Sequence, residues 1–94
     1  MIALSVVVPA EAAHDVRPAL DRLAPAVASL GVAAEILVAS PAPLAAPVAG
    51  VRHVPAPRPG YGAALAAGVA AARGAWILTI DADVVEPATV LRDL

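Results

Sequence analysis

Apolar positions along the chain follow two rhythms. The run Leu4 to Val8, LSVVV, is short and β-branched, and Pro9 closes it. It predicts a strand covered on both faces, as in a parallel sheet. From His14 to Leu30 the rhythm lengthens: Val16, Leu20, Leu23, Val27 and Leu30 recur every three or four residues, the stripe of one helix face. Pro18 suits a first turn and Gly31 a stop. Pro25 falls inside the pattern and predicts a kink or break. Glu35 to Ala39, EILVA, is a second strand. Ser40 to Gly50 holds Pro41, Pro43 and Pro47 and predicts an irregular loop. Val51 to Val54 is a brief third strand, and Pro55 to Gly62, PAPRPGYG, a proline–glycine loop. Ala63 to Arg73 is an alanine-rich helix with Leu65 and Val69 on one face, stopped by Gly74. Ala75 to Ile80 is a fourth strand. Glu86-Pro87 opens a last helix to Leu94.

This β-α-β-loop-β-α-β-α order predicts a Rossmann-like α/β fold, a parallel sheet with flanking helices and right-handed crossovers. Ligands of such sheets sit beyond the carboxyl ends of the strands. Pro9-Ala10-Glu11, Ser40-Pro41 and Asp81-Ala82-Asp83 all fall at that edge.

Composition narrows the function classes. The 94 residues fit one small domain with no internal repeat, and there is no cysteine for a disulfide or thiolate metal site. All six basic residues are arginines, scattered through a chain of formal charge -2. That pattern makes no basic face, so nucleic acid is not an expected partner. No run reaches the roughly 18 to 20 apolar residues of a membrane helix. The N-terminus has no basic segment ahead of its apolar stretch, so no signal peptide is expected.

The chemistry concentrates where the fourth strand ends. WILTIDAD runs from apolar residues straight into Asp81 and Asp83. On extended backbone, residues i and i+2 project to one side. Two carboxylates so placed repel one another unless one is neutralised or a cation joins them. Mg²⁺ commonly takes one or two carboxylates together with substrate phosphates. The same pattern also suits a loop start or a helix cap at Asp83. His14 and His53 have no second ligand at metal spacing. Trp76 reads as a packing residue, Tyr61 as the better candidate of the two for a ligand contact, and Glu86 as an acid favoured at a helix start.

The segment PGYGAALAAGVAAARGAWILTIDAD resembles the central part of family-2 glycosyltransferases, with its Gly-x-Gly, small-residue helix, apolar strand and Asp-x-Asp. It is most similar to the polyprenol-phosphate branch, the dolichol-phosphate mannose synthase-like enzymes. LSVVVPA resembles the family's opening strand and EILVA its second. The resemblance implies a GT-A fold whose N-terminal, nucleotide-sugar-binding part is residues 1–94, ending before the acceptor-binding half. It implies a nucleotide sugar donor, with Mg²⁺ or Mn²⁺ held by Asp81 and Asp83. Pro9, Ala10, Ser40, Gly60, Gly62 and Asp81 would border the nucleotide, and the acceptor would extend to a polyprenyl phosphate. The catalytic base is not identified. Such a chain is expected in the cytoplasm, or associated with the cytoplasmic face of a membrane.

Two departures open an alternative. The family's Asn-Glu after its first strand corresponds to Ala12-Ala13, and its Asp-Asp-Gly-Ser after the second to Ser40-Pro41-Ala42-Pro43. Arg58 stands where an Asn is common. A degenerate, non-catalytic nucleotide-binding or protein-interaction module would show such losses.

Overall fold

The computed structural model describes residues 1–10, 16–44 and 48–80. Four strands form one sheet: β1 (Leu4–Pro9), β2 (Ala34–Ser40), β3 (Val51–Pro55) and β4 (Trp76–Thr79). Every pair is parallel and the order is β3-β2-β1-β4. Two helices, α1 (Arg17–Ala28) and α2 (Tyr61–Ala71), flank it. This is the Rossmann-like α/β arrangement expected from the alternating pattern. The expected helix from Glu86 to Leu94 lies outside the described residues.

The strand order dictates where the helices go. The chain steps outward from β1 to β2 to β3, then returns past both to lie beside β1 as β4. Right-handed crossovers that reverse direction must pass over opposite faces of the sheet. The core divides accordingly. On one face Val6, Val8, Ile36 and Val38 meet Val16, Leu20, Leu23 and Val27 of the α1 segment, with Leu44 and Val48 of the β2–β3 crossover packed beside them. On the other, Val7, Leu37, Ala39 and Val54 meet Ala64 of α2. Val6, Val7, Leu20 and Leu37 have no exposed surface, which is the double coverage that the unbroken aliphatic strands require.

Several local expectations change. α1 runs through Pro25 without ending. The ladder bond that Pro25 cannot donate belongs to the carbonyl of Asp21; both residues are exposed, so the lost bond falls on the solvent side, while buried Leu23 and Val27 keep the helix seated. α2 starts at Tyr61 instead of Ala63, which puts Gly62 in the helix and not in the loop. Its buried face is Ala64 and Gly68, not Leu65 and Val69; Val69 is 41% exposed. A Cβ at Gly68 would collide with Cγ1 of Val7, so small residues let this helix lie close against β1.

Nor does Gly74 cap α2. The helix ends at Ala71, and the next residue, Ala72, is already extended. Gly74 is required by space: a Cβ there would sit 2.6 Å from the Ser5 nitrogen and 2.8 Å from the Leu4 carbonyl carbon. Trp76, expected to pack, is 77% exposed on β4. β4 borders β1 on one side only, and no described strand lies beyond it to cover the indole.

Candidate functional site

The site is built at the carboxyl edge of the sheet. The strand order reverses between β1 and β4, and open α/β sheets bind ligands in the crevice at such a switch point. Pro9 ends β1 and pairs with Ala39. The amide of Ala10 continues the ladder to the Ala39 carbonyl at 2.9 Å, which leaves Ala10 only 8% exposed. On the other side of the switch, the Ile80 amide donates to the Val7 carbonyl at 3.0 Å. Ile80 is 4% exposed and belongs to the α1-side core, so β4 is still tied to β1 one residue before Asp81. Asp81 and Asp83 themselves lie outside the described residues, as do Glu11, Ala12, Ala13, His14, Asp15 and Glu86. Among the described residues, no group of three or more His, Cys, Asp or Glu could hold a metal.

Ser40 is the last residue of β2, not the first of a loop, and is fully buried. Its hydroxyl donates to the Ala42 carbonyl at 2.6 Å. That uses its only proton, so the 3.0 Å approach of His53 Nε2 is donation from the ring N–H. The same N–H lies 3.2 Å from the Ser40 carbonyl, which also accepts the Ala56 amide at 2.9 Å. His53 therefore carries its hydrogen on Nε2 and reaches along the α1 side of the sheet to clasp the end of β2. No buried side-chain polar atom among the described residues lacks a partner.

The third piece is the turn into α2. Gly60 has φ +115 and ψ 148, backbone open to glycine and strained for any other residue. It delivers the chain into α2 with the helix N-terminus at the carboxyl edge of β3. Gly62 is exposed, and a Cβ there would meet nothing within 4 Å. Tyr61 is 49% exposed and Arg58 is exposed in the preceding loop. Pro9, Ala10, Ser40, Gly60 and Gly62 are thus all found where strands end or α2 begins.

The opposite edge holds a polar cluster that strand-by-strand reading missed. Glu35 Oε2 accepts from the Ser5 hydroxyl at 2.6 Å and from the Arg73 amide at 2.7 Å. Arg52 reaches Glu35 Oε1 at 3.2 Å and the Ala71 carbonyl at 2.8 Å. Ser5 Oγ in turn accepts from the Gly74 amide at 2.7 Å. Burial pushes the Glu35 carboxyl up and is the largest single influence. The Ser5, Arg73 and Arg52 hydrogen bonds and the Arg52 charge together outweigh it and hold the group below its ordinary value of 4.5. The available signal was the polar residue near the start of three successive strands, Ser5, Glu35 and Arg52, each facing α2.

Comparison with known proteins agrees with this geometry. No curated protein matches the chain. The model of the glycosyl transferase family 2 matches residues 41–94, more than half of the chain, from the turn after β2 through the Gly60 turn, α2 and β4 to the paired aspartates. With a four-stranded parallel sheet that fits the nucleotide-binding part of a GT-A fold, the chain belongs to glycosyl transferase family 2.

Proposed function

We propose that this chain is the nucleotide-sugar-binding part of a glycosyltransferase that acts through a divalent cation. One observation carries the reading: the family match runs through Asp81-Ala82-Asp83, and in sequence this pair comes one residue after β4, the strand that flanks the topological switch. Two carboxylates are a hard oxygen donor set, suited to Mg²⁺ or Mn²⁺. When bound, such an ion would stabilise the negative charge that gathers on a departing nucleoside diphosphate. Pro9, Ala10 and the end of β2 would border the nucleoside. The backbone at half-buried Gly60 and exposed Gly62 would let the diphosphate approach the start of α2, where helix polarity favours anions. Similarity to the polyprenol-phosphate branch extends the proposal to a lipid phosphate acceptor at the cytoplasmic face of a membrane. Among the described residues no helix is long and apolar enough to cross one.

A second reading draws on Ser40. Its hydroxyl is committed inside the protein, and no acid stands at the end of β2, so a non-catalytic module that binds a partner chain keeps some support. Titration calorimetry with nucleoside diphosphates and Mn²⁺ separates the two. The enzyme reading expects metal-dependent binding that Asp81→Ala weakens by about 100-fold or more, since loss of a direct ligand should cost at least as much as loss of a group that only orients one. Affinity independent of metal and unchanged in Asp81→Ala rejects the metal role.

A further inference from the structure

We propose that His53 is a positioning residue for the nucleoside, acting through the backbone at the end of β2. The inference rests on the nucleotide reading above and adds a residue that the sequence marks only as an isolated histidine. The family places acidic side chains after this strand; here the chain has Ser40-Pro41-Ala42-Pro43. Two of those four residues are prolines, which lack an N–H to tie the turn to its surroundings. The tie is made by Ser40. Its carbonyl accepts the Ala56 amide at 2.9 Å, its hydroxyl holds the Ala42 carbonyl at 2.6 Å, and His53 Nε2–H spans both Ser40 oxygens at 3.0 and 3.2 Å.

His53 lies two residues along β3 from Pro55, the register partner of Ser40, so the ring stretches diagonally to reach it. Ser40 is wholly buried and has no free proton to offer a ligand. The polar side chains here fix the course of the backbone that leaves β2 toward the ligand edge. A wall fixed before binding contributes to affinity by lowering the ordering cost.

The test compares ligands that do and do not touch that wall. Uridine and guanosine diphosphate, each with Mn²⁺, contact nucleoside and phosphate positions; inorganic pyrophosphate with Mn²⁺ contacts only the latter. The full 94-residue chain is titrated as wild type, His53→Leu, His53→Asn (too short to reach Ser40) and His53→Gln, whose amide donates to both oxygens. Circular dichroism selects the folded variants. The expected result is a loss of about tenfold for the tighter nucleoside diphosphate in Leu and Asn, the scale of removing an orienting partner. Pyrophosphate affinity stays within twofold of wild type, about the size of a surface effect, and Gln recovers the nucleotide. Equal losses for both ligands, or unchanged nucleotide binding in Leu and Asn, overturn the positioning role. A wild-type chain that binds neither ligand defeats the nucleotide reading itself and this role with it.

Discussion

The two edges of the sheet are built on opposite principles. At the amino edge, Ser5, Glu35, Arg52 and the backbone at Ala71, Arg73 and Gly74 form a closed polar cluster in which each group serves another. Glu35 keeps only 11% of its side-chain surface. At the carboxyl edge, polar side chains inside the fold are likewise satisfied, but among the described residues the rim they support is rich in prolines and glycines, with Arg58 and Tyr61 exposed on it. One edge spends its side chains on holding the helix down; the other leaves surface open. Parallel sheets bind ligands at the carboxyl edge, so the firm anchor sits where it cannot obstruct a ligand.

Three substitutions sharpen that contrast. The largest effect is expected at the anchor. Gly74→Ala forces a Cβ against backbone atoms of Leu4 and Ser5, which cannot rotate away. It should cost about 3 kcal/mol, the upper range for overpacking. Urea unfolding would show this as a lower midpoint at constant slope; an unshifted midpoint would mean that β1 gives way freely.

The middle effect is a pH dependence. Glu35 is held below 4.5 in the folded chain, so its contribution is present above the unfolded carboxylate value and is lost as pH falls through the folded one. Thermal melts should therefore show wild type losing stability on acidification below about pH 4.5, by the linkage between proton binding and folding. Glu35→Gln should be less stable at pH 7, by about 2 kcal/mol for a buried charged hydrogen-bond acceptor, and should show a flatter acid limb. Parallel acid limbs for the two proteins would assign the effect elsewhere.

The smallest stability effect is expected at the rim. Gly62→Ala adds a methyl in open space within the first turn of α2, and should raise stability by about 0.5 kcal/mol from helix propensity. The same methyl should weaken metal-dependent nucleoside diphosphate binding if backbone is what the ligand approaches. A variant that gains stability and keeps its full affinity would remove Gly62 from the nucleotide site.

Much of the architecture was legible because aliphatic rhythm reports burial directly. LSVVV and EILVA became the two central strands; of the stripe, Leu20, Leu23 and Val27 are buried on α1 and Val16 just before it, while Leu30 lies beyond the helix end and is half-buried. Alanine-rich sequence is less informative, since it offers no contrast between inner and outer faces. Leu65 and Val69 were the only bulky aliphatic guides on α2, yet the packing surface is Ala64 and Gly68. There the deciding quantity is the distance between helix and sheet, set by Val7 on another element. Gly74 misled for the same reason: a stop signal and a close approach both call for glycine, and only the neighbour distinguishes them. Edge positions were found by counting strand ends, but the Ser40–His53 clasp joins residues 13 apart in sequence and left no local trace. The metal reading of Asp81 and Asp83 rests on sequence and family membership.

The bond from Arg52 to the Ala71 carbonyl has an effect at a distance. α2 has 11 residues, a stiff rod of about 16 Å at the helical rise. Its tail is moored at one end of the sheet while its head stands at the other. Weakening the mooring would let the rod shift lengthwise against its remaining contacts at Gly68, Arg73 and Gly74, and the head would move although no residue of the head had changed. If the proposed diphosphate binds at the head, its affinity would then be tunable from residues that it never touches.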